Sequence, residues 1–236
     1  GGDKGIFGFG YLTAVTNLVS NAGVVATDTA GVGTARAGAG ACGYGGDKGI
    51  IGYGTPGGGT WWSMSNLVSN AGVIATDVTG VGTARQALAA CEYGEDKGIF
   101  GFGTYVGGYT AVTNLVSNAG VIATDTAGVG SVRYYLAACS YGGDKGIFGY
   151  GSVPPNTAIT NLVSNAGVVA TDTAGVGTAR IIVAACEYGG DKGIFGYGET
   201  ASKVSMTNLV SNAGVVTTDV AGVGTARYGP AACSFN

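Results

Sequence analysis

Residues 137–151, AACSYGGDKGIFGYG, decide the fold, because their pattern recurs along the whole chain. The Asp-Lys-Gly-Ile segment recurs at spacings of 44, 49, 48 and 47 residues, beginning at Asp3, Asp47, Asp96, Asp144 and Asp191. A second segment, NLVSNAG, begins at Asn17, Asn66, Asn114, Asn161 and Asn208. An arginine ends each copy, at Arg36, Arg85, Arg133, Arg180 and Arg227. The chain therefore contains five copies of one unit, with no linker between them.

We number the units by these arginines. Units 1 to 5 are residues 1–36, 37–85, 86–133, 134–180 and 181–227. In unit 4 the pattern predicts four short strands, named A (137–141), B (145–151), C (160–165) and D (168–180). Glycine-rich or Asn-Ala-Gly turns separate A from B and C from D. No segment shows a 3.6-residue period long enough for a helix.

Strand B is apolar on both of its faces. In unit 1, Phe7 and Phe9 point to one side, whereas Ile6, Gly8 and Gly10 point to the other. Both faces must therefore be covered, as they are when sheets stack around an axis. We expect the bulky face of one sheet to meet the glycine-lined face of the next. Four short strands at a period of about 40–50 residues are typical of a β-propeller blade.

The two ends of the sequence complement each other. The chain begins in an A–B turn (1–3) and ends with a spare strand A at 231–236, where Phe235 stands in place of the usual Tyr. We expect 229–236 to complete a blade with 1–36, because closure removes exposed sheet edges. The prediction is an all-β, single-domain (1–236), five-bladed β-propeller of four-stranded antiparallel blades, closed by pairing of the N- and C-terminal strands. An open stack or filament is the alternative.

The unit resembles a kelch repeat. The arginine, the Ala-Ala-Cys strand, the turn and the Gly-Ile-Phe-Gly-Tyr-Gly strand match the start of that repeat. The chain differs in ending strand B with Tyr-Gly or Phe-Gly rather than Gly-Gly, and in lacking the Trp of the fourth strand. It is closer to glycine-rich kelch-like repeats of bacteriophage tail-associated structural proteins. That resemblance implies a virion or extracellular location, with other virion proteins as partners.

Composition excludes several classes of function. The net charge is −3, with no basic stripe, so nucleic acid is not an expected partner. No run approaches the roughly 18 apolar residues of a membrane span, so no membrane insertion is expected. The five cysteines occupy one equivalent position and histidine is absent. We therefore expect free, buried thiols folded in a reducing cytoplasm, without a disulfide framework or a metal site.

The differences between units fall into two segments. The B–C loops (11–15, 55–64, 104–112, 152–159 and 199–206) and the D–A connections (37–40, 86–88, 134–136, 181–183 and 228–230) vary, whereas the A–B and C–D turns hardly change. In an up-and-down blade both variable segments lie on one face. Exposed aromatic residues on loops often anchor ligands. The candidate ligand-binding residues are Tyr11, Trp61, Trp62, Tyr105, Tyr109, Tyr134, Tyr135, Ile181 and Tyr228.

These patterns favour a binding module over an enzyme. The charges recur in all five units, which is typical of structural roles; Glu92 and Glu187 occupy one equivalent position and form no evident acid–base pair. No catalytic residue or cofactor is predicted. The expected function is a receptor-binding or decorating propeller, or a similar adhesin, for a cell-surface glycan or protein receptor. The alternatives are a purely structural repeat protein of a virion or filament, and an artificial or recently amplified propeller without a selected ligand.

Overall fold

A computed structural model describes residues 4–11 and 13–234. The protein is all-β. The described residues contain no helix, and so no helical segment that could span a membrane. The predicted A–B turn at 1–3 and the predicted role of Phe235 lie outside the described residues.

Within residues 4–11 and 13–234, sixteen strands form small antiparallel sheets. In chain order they are β1 (Gly5–Gly10), β2 (Thr13–Val19), β3 (Gly40–Tyr44), β4 (Lys48–Gly57), β5 (Thr60–Val68), β6 (Ala89–Tyr93), β7 (Lys97–Gly101), β8 (Thr104–Tyr105), β9 (Gly108–Tyr109), β10 (Thr113–Val116), β11 (Ala137–Tyr141), β12 (Lys145–Gly149), β13 (Thr160–Val163), β14 (Ala184–Tyr188), β15 (Lys192–Gly196) and β16 (Thr207–Val210).

Units 2 to 5 each contain one three-stranded sheet with strand B in the centre. In unit 4, β11 pairs with β12 through Cys139 and Ile147, and β12 pairs with β13 through Phe148 and Asn161. Strand A matches its prediction, whereas strand B ends at Gly149 because Tyr150 adopts a φ of 65° that breaks the ladder. The predicted strands A, B and C are therefore confirmed to within two residues.

The predicted strand D is wrong as a continuous strand. In unit 2 it consists of two isolated bridges to strand C, Val68 with Ile74 and Ser65 with Val78. Between them the side chain of Asn66 donates a hydrogen bond of 3.0 Å to the carbonyl of Ala75. That carbonyl is thus taken by a side chain rather than by the backbone of strand C, and the ladder is interrupted.

Three of the predicted B–C loops contain strand residues instead. In unit 1, β2 already begins at Thr13, within the predicted loop 11–15. In unit 2, β4 and β5 extend into a long hairpin whose turn, 57–59, contains three glycines with φ of 91°, 66° and 78°. The sequence Thr-Trp-Trp that follows has high strand propensity, which explains the extension. In unit 3, β8 and β9 form a short hairpin of their own.

Successive units pack a bulky side chain into a glycine recess, as the two-faced strand B predicts. A Cβ added to Gly101 of unit 3 would lie 2.7 Å from the Phe148 ring of unit 4. The same contact joins Phe195 to Gly149 and, with isoleucine as the bulky residue, Ile51 to Gly8. Strands β3, β6, β11 and β14 lie side by side in sequence order, so strand A of each unit contacts strand A of the next.

A buried arginine connects each unit to the next. Arg85 of unit 2 has no exposed surface, stacks over Tyr53 of its own unit at 4.1 Å, and donates a 2.7 Å hydrogen bond to Asn114 of unit 3. Thr83 donates to Asp125 of unit 3 through both its backbone and its hydroxyl. Equivalent contacts join units 1 and 2, 3 and 4, and 4 and 5. The buried arginines therefore have the structural role that their repetition in the sequence indicates.

The ends differ from the interior. The sheet of unit 1 contains only β1 and β2, and residues 229–234 form no strand. Cys233 nevertheless lies beside β1, because a Cβ at Gly5 would be 3.6 Å from its Sγ. Arg227, the counterpart of Arg85, is exposed, and the one hydrogen bond that its side chain makes within the described residues goes to the Thr225 carbonyl.

Candidate binding surface

The two variable segments lie against each other. In units 2 to 5 the D–A connection that opens a unit pairs with the start of the B–C segment of the same unit, through mutual backbone hydrogen bonds of 2.9–3.0 Å. The pairs are Ala37 with Thr55, Gln86 with Thr104, Tyr134 with Ser152, and Ile181 with Glu199. We call the surface formed by the B–C segments and D–A connections the variable-loop surface.

A second hydrogen-bond series runs along the D–A connections. Ala87 donates to Gly38, Tyr135 to Ala87, Ile182 to Tyr135, and Gly229 to Ile182, at 2.9–3.1 Å. All five residues have positive φ, between 51° and 64°. The D–A connections are therefore fixed to one another, which gives the variable-loop surface a rigid base.

The A–B and C–D turns, which hardly change between units, contact each other rather than the variable segments. In unit 2, Asn70 of the C–D turn donates a hydrogen bond of 3.0 Å to Asp47 of the A–B turn, which also pairs with Lys48 at 3.2 Å. Gly45 donates to the carbonyl of Asp96 in the next unit at 2.7 Å. Both bonds to Asp47 lower the pKa of its carboxyl. The contacts of the nearly constant turns are thus separate from those of the variable segments.

The nine candidate residues differ in exposure. Tyr11 is 87% exposed, Tyr228 49%, Tyr135 40% and Tyr109 38%. The half-buried members are Trp61, Trp62, Tyr105, Tyr134 and Ile181. The tyrosines thus contribute most of the accessible aromatic surface, whereas sequence gave no reason to rank them above the tryptophans.

Three of the tyrosines form one cluster. The rings of Tyr109 and Tyr134 stack, with centroids 4.8 Å apart and planes 12° apart, and Tyr135 lies 4.7 Å from Tyr134. Burial raises the pKa of Tyr134, and its neighbour Tyr109 adds to the effect. The cluster joins the β8–β9 hairpin to the next D–A connection, and Tyr109 and Tyr135 are its exposed members.

The two tryptophans lie together on β5. Their strand belongs to the long hairpin of unit 2, and Trp62 pairs with Gly54 across it. The indole nitrogen of Trp61 is shielded from solvent and has no hydrogen-bond partner among the described residues. Both side chains are half-buried, so neither ring is fully accessible to a ligand.

Two residues of this surface were missed by sequence reasoning. Val106, at the tip of the β8–β9 hairpin, is 84% exposed. Lys203 places its ammonium 5.1 Å from the centre of the Tyr228 ring. Both lie in variable B–C segments, so the sequence did hold the signal that identifies them.

A separate cleft of about 570 Å³ is lined by strand A residues of units 2 to 5, by 231–234 and by β1. Glu92 and Glu187 face it. Burial among neighbouring strands raises the pKa of Glu92, although its side chain still contacts solvent in the cleft. Burial also raises the pKa of Glu187, and the negative charge of Glu92 adds to that effect. Nowhere in 4–11 and 13–234 do three potential ligands cluster to hold a metal ion.

Neither the scan against protein-family models nor the search of curated proteins finds a match for this chain.

Proposed function

We propose that the chain is a closed five-bladed propeller of kelch-like repeats that serves as a non-catalytic binding module. The variable-loop surface is its recognition surface, and a cell-surface glycan is the first ligand to test. One observation carries this proposal: segments that differ between units are paired together and expose Tyr11, Tyr109, Tyr135 and Tyr228. Drift unconnected with binding would not favour aromatic residues at one surface.

The chemistry of the surface suits a sugar. Tyrosine rings offer flat apolar faces to the C–H side of a pyranose, and their hydroxyls give hydrogen bonds at the ring edges. Two rotatable side-chain bonds make a tyrosine contact less costly in entropy than a contact by a longer side chain. A protein receptor is the other ligand class, and a receptor-binding or decorating role on a phage tail, fibre or other adhesin is the proposed setting.

A glycan array tests the proposal. Labelled wild-type protein is expected to bind a subset of glycans, and Tyr109→Ala combined with Tyr135→Ala to weaken that binding by at least about tenfold, since such anchors contribute 2 kcal/mol or more. Trp61→Ala combined with Trp62→Ala probes the hairpin in the same way. The matched control is Val168→Ala, which removes a 65% exposed side chain from a C–D turn.

The outcomes separate the alternatives. Binding that survives the tyrosine substitutions, or that Val168→Ala reduces equally, would refute the variable-loop surface as the site. Wild-type protein that binds no glycan but binds intact cells in a protease-sensitive manner would replace the glycan with a protein receptor.

One observation favours the structural alternative. A valine in each C–D turn is 64–65% exposed, at Val24, Val73, Val121, Val168 and Val215. Five equal apolar contacts suit a flat contact with another structural protein. This reading predicts assembly that Val168→Asp disrupts and that substitutions in the variable-loop surface leave intact.

A further inference from the structure

The outer faces of units 1 and 5 are two unjoined halves of the contact that joins the other units. Phe7 of unit 1 is half-buried, whereas its counterpart Phe148 fills the recess at Gly101. Gly196 of unit 5 forms the equivalent recess, and a Cβ there would meet only Thr207 of its own sheet within 4 Å. A bulky residue and an unfilled recess are thus present, one at each end.

The polar parts of the contact are also present in both halves. Asn17 already donates a 2.8 Å hydrogen bond to Asp28, as Asn208 donates one of 3.0 Å to Asp219. The asparagine and aspartate that would accept hydrogen bonds from the other end are therefore already in position. On the donor side, Arg227 is exposed, although it already lies 3.9 Å from the centre of the Tyr197 ring. These residues match the set that Arg180 uses between units 4 and 5.

The two ends lie near each other. The Sγ of Cys233 is 3.6 Å from a Cβ placed at Gly5, and 231–234 line the same cleft as the strand A residues of units 2 to 5. The opposite end of the same chain is therefore the partner that these faces fit, rather than a second copy.

Docking of the two faces determines which variable residues meet. Tyr228 follows Arg227 as Tyr134 follows Arg133, and Tyr134 pairs with Ser152, the residue after Gly151. The residue after the equivalent glycine in unit 1 is Tyr11. The register therefore pairs Tyr228 with Tyr11, the two most exposed of the candidate aromatic residues, at 49% and 87%.

An unpaired cation lies at the same place. The ammonium of Lys203 lies over the Tyr228 ring and makes no ion pair within the described residues. By contrast, Lys145 and Lys192 each pair at 2.7 Å with the aspartate that precedes them. Lys203 pairs with Glu199 through the backbone, but its ammonium makes no ion pair with that carboxylate and so remains available to an anion.

We propose that Tyr11, Tyr228 and Lys203 form one subsite where the two ends of the chain meet, and that it binds an anionic sugar, carboxylated or sulfated. The tyrosine rings contact the sugar and the ammonium contacts its anionic group. This ligand class rests on the proposed function, whereas the pairing of Tyr11 with Tyr228 does not.

The pairing is tested by cysteine crosslinking. Tyr11→Cys combined with Tyr228→Cys is compared with Gln86→Cys combined with Thr104→Cys, an internal pair that the structure shows. Directly paired antiparallel residues have Cα atoms about 5.5 Å apart, which a disulfide can span. After mild oxidation, both variants should contain an intrachain disulfide in a monomer, identified by peptide mass; Tyr11→Cys alone reports any reaction with the five native cysteines.

Failure of the end pair to crosslink while the internal pair does, or crosslinks found only between two chains, would overturn the pairing. Gly196→Ala is a second variant, placed away from the tyrosines, and it should reduce the crosslinking yield by filling the recess for Phe7. An unchanged yield would contradict docking of these two faces.

The ligand is tested on an array that carries neutral, carboxylated and sulfated glycans. Lys203→Gln should reduce binding of the anionic glycans by about tenfold and leave neutral ones unchanged, since hydrogen bonds to charged groups contribute about 1.5–3 kcal/mol. Lys145→Gln is the matched control on a constant turn. The carboxylated and sulfated arms show which anion is preferred.

The two proposals fail in different ways. If Tyr109→Ala abolishes binding but Lys203→Gln does not, the variable-loop surface stands and the anionic subsite is refuted. If wild-type protein binds no glycan while the end pair crosslinks, the glycan-binding function and the anionic subsite are both refuted, and only the pairing stands.

Discussion

Arg133→Met tests the main connection between units. The guanidinium is fully buried and donates 3.0 and 3.1 Å hydrogen bonds to the carbonyls of Tyr150 and Ser131, as well as a bond to the side chain of Asn161. It also stacks over Phe102 at 4.2 Å. Methionine keeps much of the volume but leaves three acceptors unsatisfied, at about 1–3 kcal/mol each, and loses a cation–π contact of about 1–2 kcal/mol. With partial relaxation we expect a loss of about 3–5 kcal/mol.

The assay is equilibrium unfolding in urea at neutral pH, where Arg133 is charged even though burial lowers its pKa to about 10. Lys97→Met is the matched control, because Lys97 is a surface cation whose ion pair with Asp96 is screened by solvent and contributes little to stability. Arg133→Lys should lose nearly as much as Arg133→Met, since one ammonium cannot reproduce the planar fork. A loss below about 1 kcal/mol for Arg133→Met would refute the idea that buried arginines hold the units together.

Three further predictions follow from burial and packing. Glu92→Gln should stabilise the protein at neutral pH, because burial raises the pKa of Glu92 in the folded state and its charged form is therefore disfavoured there. As pH falls, Glu92 becomes protonated and the wild-type protein regains stability, whereas Glu92→Gln should show no such gain. Melting curves of both proteins between about pH 5 and 8 check this. Gly101→Ala should cost about 1–3 kcal/mol in urea unfolding, because the added methyl group would lie 2.7 Å from the Phe148 ring. The Cys139 thiol, whose pKa burial raises, should resist iodoacetamide in the native state and react after unfolding, as peptide mass analysis will show.

Sequence predicted the local structure well where one unit decides it. Strand A at 137–141 and the centre of strand B follow from alternation and turn residues alone. The recess at Gly101 follows from a strand with bulky residues on one face and glycines on the other. Strand D was mispredicted because the Asn66 side chain, rather than the backbone of strand C, donates the hydrogen bond to the Ala75 carbonyl. The alternation of apolar and polar residues does not indicate such a side-chain hydrogen bond.

The candidate surface was predictable as a set of segments but not as a set of contacts. Comparing the five units identified the variable segments, and geometry then paired them, for example Tyr134 with Ser152. The stack of Tyr109 on Tyr134 joins residues of different units, so no local pattern predicts it. The same holds for Lys203, whose position over Tyr228 depends on tertiary structure.

The aromatic residue before the last glycine of strand B has a physical explanation in the same arginine network. Tyr150 has a φ of 65°, a conformation that glycine adopts freely and that costs another residue about 1–3 kcal/mol. Its ring, however, lies 4.2 Å beneath Arg180 and packs edge-on against Phe195 at 5.1 Å. Glycine would relieve the backbone but remove both contacts and leave a void beside a buried cation. The strained backbone of Tyr150 is retained because the contact between units depends on its ring. The positive φ places the ring beneath Arg180, and the packing of the ring in turn offsets the strain.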